Sequence, residues 1–296
     1  MWLRHTVSAL TLWVTWRSQV KIEKGCLVAE TAGWLPGGVD MELPSAARVY
    51  DYLLGGGHNF AADRAIGEKF LSAMPDARIS ARTNRAFLRR SVLFMMQRGI
   101  RQFLDIGSGI PTVGNVHEVA QRVDPETKVV YVDNEAVAVA HSQIMLKGNE
   151  KATALQEDLK NPLEILHHAE TRRLLDFSQP IGLLMVGVFH FVPQSMDPQA
   201  LLRVYHDHVT PGSYLAISQF TSEFKNEQMQ RVVKVMSQSR DPMYPRPKQE
   251  IEALFQDFEL LEPGVVRLPE WHPDSPTDLD GDLEVSGMLA GVGYRR

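Results

Sequence analysis

The chain has 296 residues, enough for a sizeable core, with 44% hydrophobic and 23% charged residues, an ordinary globular composition that excludes disorder of the chain as a whole. Its formal net charge of -5 and pI near 6.1 provide no broad cationic field for a phosphate backbone, so no nucleic-acid partner is expected. A single cysteine, Cys26, excludes an internal disulfide framework and multi-cysteine zinc sites and fits a reducing, cytoplasmic setting.

Residues 1–34 carry Trp2, Leu3, Leu10, Leu12, Trp13, Val14 and Trp16 behind Arg4 and His5. Thr6, Ser8, Thr11 and Thr15 interrupt that apolar bias, which is too short to span a bilayer and lacks a nearby small-x-small cleavage site. The stretch reads as a poorly ordered or loosely docked leader, and no membrane partner is expected. Pro36-Gly37-Gly38 marks the start of the folded part. Residues 35–100 form a helical extension. Ser45 is the N-cap of a first helix that shares Val49 and Leu53 on one face and ends at Gly55-Gly56-Gly57, and further helices follow over Asp63 to Met74 and Ile79 to Arg98.

From residue 101 to 296 the pattern changes to short apolar runs alternating with amphipathic segments, the mark of repeated βα units and a mostly parallel sheet. Strands are expected over Gln102 to Ile106, Lys128 to Val132, Ala152 to Gln156, Ile181 to Val188 and Ser213 to Ser218. The helices between them cover Asn115 to Arg122, Glu135 to Leu146, Pro162 to Leu175 and Pro198 to His208. Two late strands, Asp257 to Leu261 and Leu283 to Val292, would add an antiparallel edge.

In such sheets ligands bind beyond the carboxyl ends of the strands. The first strand end reads Asp105-Ile106-Gly107-Ser108-Gly109-Ile110-Pro111-Thr112, the second Asp133-Asn134 and the third Asp158-Leu159. A dinucleotide fingerprint requires a third glycine where Thr112 stands, so a nicotinamide-dependent oxidoreductase is the weaker reading. S-adenosylmethionine carries an ammonium, a sulfonium and two ribose hydroxyls, for which carboxylates are natural partners.

The chain resembles the class I S-adenosylmethionine-dependent methyltransferases, in particular an actinomycete family once filed as a domain of unknown function. The resemblance covers about Leu35 to the C-terminus and rests on several runs. They are Ala47-Arg48-Val49-Tyr50-Asp51-Tyr52-Leu53-Leu54-Gly55-Gly56 with Asn59-Phe60 and Ala62-Asp63-Arg64, Arg101 to Gly107, Pro111 to Glu118, Val130 to Asn134, and Glu262-Pro263-Gly264-Val265-Val266. It implies a Rossmann-like sheet of seven strands with an antiparallel edge strand. It also implies Gly107 and Gly109 under the methionine part of S-adenosylmethionine, Asp133 on the ribose hydroxyls, and Asp158 with Leu159 beside the adenine.

The glycine-terminated helix followed by His58-Asn59-Phe60 holds more polar groups than a plain C-cap requires. Tyr52, Gly56, His58, Asn59, Phe60 and Asp63 are therefore expected to fold over the sheet mouth and line the pocket; the alternative is a glycine C-cap plus a surface loop. His190, just after the fourth strand, is the candidate catalytic base, if the acceptor must lose a proton; a hydrogen-bonded strand-capping histidine is the alternative. His117-Glu118 reads as helix-orienting, His167-His168 as an exposed helix face, and neither has metal-ligand spacing. Tyr244, Arg246 and Lys248 sit in a Pro-rich loop that either closes over an acceptor or merely connects. The combined expectation is methyl transfer to a small-molecule acceptor. A catalytically silent S-adenosylmethionine-binding regulator or scaffold is the alternative, and acceptor identity and oligomeric state are left open.

Overall fold

A computed structural model describes residues 36–112, 114–275 and 286–296. The leader and the first residues of the strand expected from Leu283 lie outside them. Three helices come first, α1 (Ala46–Leu54), α2 (Ala61–Ala73) and α3 (Ala77–Gln97). Ser45 caps α1, its hydroxyl accepting from Arg48 N–H at 3.4 Å, and Gly55 ends it at φ 86°, a left-handed turn that favours glycine.

Five parallel strands follow: β1 (Gln102–Ile106), β2 (Lys128–Asp133), β3 (Ala152–Gln156), β4 (Gly182–Val186) and β5 (Tyr214–Phe220). Between them run α4 (Val116–Val123), α5 (Ala136–Met145), α6 (Pro162–His167), α7 (Ala169–Leu174) and α8 (Pro198–His208). After β5 come α9 (Asn226–Met236), α10 (Lys248–Ala253), β6 (Glu259–Leu260), β7 (Val266–Arg267) and β8 (Met288–Tyr294).

The sheet runs β3-β2-β1-β4-β5-β8-β6, with β7 also on β8, so it has eight strands against the seven expected. The difference is local. Two two-residue strands pair antiparallel with separate stretches of β8, which itself lies antiparallel to β5. The single helix expected over Pro162 to Leu175 is two, because His168 leaves helical geometry at ψ 138° and its Nδ1 accepts from Glu170 N–H to start α7.

Alternation along the strands sends Leu104, Val130, Leu183 and Leu215 to one core with α6, α8 and α10. Phe103, Val129, Leu184 and Ala216 go to the opposite face, where Phe87, Val92 and Met95 of α3 join α4 and α5. The helical extension is thus no appendage, since α3 is a structural layer of the sheet. A third core packs Val49, Leu53, Ile66 and Phe70 of α1 and α2 against Met229, Val232 and Met236 of α9. No helix among the described residues is long and apolar enough to cross a membrane.

Candidate functional site

The strand order reverses between β1 and β4, and the main cavity opens at the carboxyl ends there. Its volume is about 220 Å³, against about 10 Å³ for the second cavity described, which leaves room for little more than a water. Asp105, Gly107, Ser108, Gly109, Asp133, Asn134, Asp158, Leu159 and His190 all line it. The expectations drawn from successive strand ends therefore converge on one space.

Gly107 and Gly109 have φ of 72° and 68°, and a Cβ on Gly107 would stand 2.3 Å from the Val188 side chain. Their turn is sewn to β2, with the N–H groups of Gly107 and Ser108 donating to Val132 O at 2.8 and 3.1 Å. Gly107→Ala is expected to cost about 2 kcal/mol or more in stability, from combined strain and overlap, measured by denaturant unfolding.

Asp105 is 4% exposed, and no hydrogen bond to its carboxylate is found among the described residues. Burial pushes its pKa up to about 7; the Arg85 charge opposes this and Asp133 adds to it. Asp133 accepts from Gly109 N–H at 2.7 Å and from Glu135 N–H at 2.9 Å, which leaves lone pairs for hydroxyl donors. Its pKa is raised to about 6, chiefly by burial, against the pull of those two backbone donors. Asp158 Oδ1 holds a turn, accepting from Lys160 N–H at 2.9 Å, while Leu159 O accepts from Tyr205 O–H at 3.0 Å.

The N-terminus of α4, where a dinucleotide would place its pyrophosphate, already faces a carboxylate. Gly114 and Asn115 N–H donate to Glu118 Oε2 at 2.8 and 3.0 Å. Glu118 thus serves the helix, as does His117, whose N–H and Nδ1 both meet Tyr131 O–H at 2.8 Å. A site with unpartnered Asp105, half-satisfied Asp133 and a blocked anion position suits a cationic adenosyl ligand better than a pyrophosphate.

The glycine-rich segment after α1 is placed differently from expectation. Tyr52, Gly56, His58, Asn59, Phe60 and Asp63 are absent from the cavity wall, which takes Ala46, Ala47, Val49, Tyr50 and Leu53 from this region instead. Their polar groups satisfy one another locally. Asp51 Oδ2 accepts from His58 N–H at 2.8 Å and from Asn59 Nδ2 at 2.7 Å, and the Tyr52 hydroxyl donates to Glu68. Asp63 accepts from Ser45 and Phe60 N–H and pairs with Arg48 at 2.8 Å.

Arg48, 2% exposed, is the link from this segment to the sheet: its Nη1 reaches Glu135 Oε1 beyond β2 at 3.0 Å. Glu135 Oε2 meets Arg240 at 3.0 Å, and Asp241 accepts from Ala46 N–H at 2.8 Å, so the loop after α9 is tied to both.

His190 is 3% exposed with Nδ1 unpartnered, and burial, helped by the Arg246 charge, pushes its pKa down to about 3. Arg246 donates to the carbonyls of Phe189 and Val192, and Tyr244 N–H donates to His190 O at 2.7 Å, so the Pro-rich loop holds the turn carrying the histidine. Tyr244 lines the cavity; Lys248 begins α10, away from the cavity wall.

Two further lining residues, Asn84 and Arg85, carry no mark in the sequence. Asn84 accepts from Ser218 O–H and donates to Tyr50 O–H at 3.2 Å, and Arg85 follows it on α3. They lie in an amphipathic helix with no strand end to flag them; the signal was two polar residues turned toward the sheet side.

The family described as S-adenosyl methyltransferase matches residues 32–296. A solved protein from Thermobifida fusca, provisionally named a methyltransferase, is 38% identical at a TM-score of 0.84, with 90% of this chain and 100% of that one covered. A DUF574 family protein from Streptomyces avermitilis is 36% identical at a TM-score of 0.83, with 87% and 99% covered. No protein with a curated function matches the sequence. With a cavity suited to an adenosyl cation and a family match over nearly its whole length, the chain belongs to the S-adenosyl methyltransferase family and is an S-adenosylmethionine-dependent methyltransferase.

Proposed function

We propose that this enzyme methylates an uncharged, largely apolar small molecule that presents one hydrogen-bonding heteroatom. The observation carrying this reading is the division of charge within one cavity. The charged lining residues are the acids at strand ends with Lys160 in the loop after β3, Arg85, and the Arg240 and Asp241 side chains already spent on Glu135 and Ala46. The rest of the wall, including Val49, Leu53, Phe70, Phe191, Met236 and Met243, is apolar, and its polar members Tyr50, Asn84, His190 and Tyr244 are neutral or held so. A charged acceptor there would lose water without gaining a counter-ion, at a cost of several kcal/mol.

In this reading Asp105 faces the cofactor's ammonium, the Gly107-Ser108-Gly109 turn lets its methionine part approach the backbone, and Asp133 with Asn134 takes the ribose. Asp158 and Leu159 flank the adenine. Bound S-adenosylmethionine supplies an electrophilic methyl group on a sulfonium. The chain's own share is to hold the acceptor's lone pair in line with it and to exclude water. His190 accepts a hydrogen bond from the acceptor rather than carrying its proton away, since burial and Arg246 disfavour its charged form. The single cysteine fits a cytoplasmic setting.

His190→Ala is expected to lower kcat by roughly tenfold to a hundredfold while S-adenosylhomocysteine affinity stays within about twofold. At saturating S-adenosylmethionine the wild-type kcat should show no inflection near pH 6.5, because His190 stays neutral there. The test of the whole reading is transfer of labelled methyl to neutral hydroxyl or ring-nitrogen compounds and to carboxylates and phosphates of matched size. Preference for the charged set would sink it, and cofactor binding without any turnover would favour the silent regulator.

A further inference from the structure

We propose that Arg85, contributed by the helical extension, reads the carboxylate of the cofactor's amino-acid end while Asp105 reads its ammonium, so the pair selects adenosyl ligands carrying an intact amino acid. This rests on the cofactor placement above. Arg85 lines the main cavity and the small space beside it, in both cases together with Asp105, Ser108 and Gly109. Its Nη2 donates to Gly114 O at 3.1 Å and Asn115 Oδ1 at 3.4 Å, which aims the guanidinium along the loop after β1. Its Nε is buried without a hydrogen-bond partner.

Across the same space stands Asp105, 4% exposed and accepting no hydrogen bond among the described residues. The two groups feel each other's charge, yet no ion pair within 4.0 Å joins them among the described residues. Two opposite, incompletely satisfied charges facing one cavity without meeting is the negative image of a zwitterion. Leaving the Asp105 carboxylate and the Arg85 Nε buried and unmatched is unfavourable, and a ligand with adjacent ammonium and carboxylate resolves both at once. The glycine turn between them provides the close approach such a ligand needs. The Rossmann-like part of the chain supplies only the acid; the cation comes from α3.

The expected consequence is discrimination. S-adenosylhomocysteine has the amino acid, methylthioadenosine lacks it, and decarboxylated S-adenosylmethionine keeps only the amine. Calorimetry on the full chain should show Arg85→Met weakening S-adenosylhomocysteine about ten- to a hundredfold with methylthioadenosine unchanged. The wild-type preference for S-adenosylmethionine over its decarboxylated form should disappear in the same variant. Arg85→Lys should recover part of it, through charge without the planar fork. Equal weakening of both S-adenosylhomocysteine and methylthioadenosine would make Arg85 a support for the Gly114-Asn115 loop and overturn the proposal, as would unchanged S-adenosylhomocysteine affinity. Failure of S-adenosylhomocysteine to bind the unaltered protein would instead overturn the cofactor placement itself.

Discussion

Replacing Arg48 by methionine is expected to destabilise the protein by about 3–5 kcal/mol, read as a lowered denaturant midpoint and a fall in Tm of roughly 10 °C. The guanidinium lies between Asp63 at 2.8 Å and Glu135 at 3.0 Å, all three essentially buried, and also donates to the carbonyls of Leu43 and Asp40. Methionine fills comparable space but leaves two carboxylates in a low-dielectric site with their principal cation gone. Neither is wholly abandoned: Asp63 keeps two backbone donors and Glu135 keeps Arg240. If the cost arises from stranded charge rather than lost packing, adding Asp63→Asn to Arg48→Met should restore a substantial part of it. Failure of the double variant to improve on the single would assign the loss to packing. Because Arg48 joins α1 to the end of β2, the single variant should also weaken any ligand spanning both walls of the cavity.

Asp105→Asn is expected to separate stability from function. S-adenosylmethionine affinity should fall about a hundredfold, because the amide cannot match an ammonium in a desolvated site. The ligand-free protein should gain about 2 kcal/mol at pH 8. The sign follows from the raised pKa. An unfolded Asp ionises near 3.8, whereas Asp105 in the folded chain resists until about 7. Its contribution therefore favours the folded state fully below the lower value and is lost as pH rises through the upper one. Asp133, raised to about 6, behaves in the same direction and stays in the variant, so part of the pH dependence should persist.

Binding has the opposite slope. In the proposed placement the ammonium requires ionised Asp105, so affinity should fall by up to tenfold per unit below about pH 7, with proton release on complex formation. The charged neighbours acting on this carboxyl are Arg85 on α3, which favours ionisation, and Asp133 at the end of β2, which opposes it; Tyr131 on β2 is also within its field. Calorimetry in buffers of different ionisation enthalpy measures the release directly. A pH-independent affinity between 5 and 7.5 would show that another group meets the ammonium.

The parts of this molecule legible from sequence are those whose signal is local. Strands β1 to β5 announce themselves as short apolar runs between amphipathic segments, and the cavity-lining residues Asp105, Gly107, Asp133 and Asp158 follow from strand-end position. Strands β6 and β7 are two residues each, too short for any periodicity. Helix α9, absent from the expected elements, does carry a local signal, since Met229, Val232 and Met236 share one buried face at helical spacing. The misplacement of His58, Asn59 and Asp63 has a different origin. Their polarity suggested a ligand, but the partner that consumes Asp63 is Arg48, whose other arm reaches Glu135, 87 positions along the chain. A hydrogen-bond network closed over such a separation leaves no local trace, and the same holds for Arg85, whose significance depends on Asp105 lying across a space that only the folded sheet creates.

The cavity's two sides answer to different constraints. Its floor is made of strand ends whose positions are locked by sheet register, so a change there shifts neighbouring floor residues together. Its roof is side chains from α1, α2 and α9 and the loop after α9, standing on a foundation that Arg48 and Glu135 secure elsewhere. Under the proposed placement, substitution at Val49, Leu53, Phe70, Met236 or Met243 would reshape the acceptor space one methyl group at a time while leaving the strand-end floor in place. A protein so built would acquire a new substrate by gradual drift while the site proposed for its methyl donor stays intact.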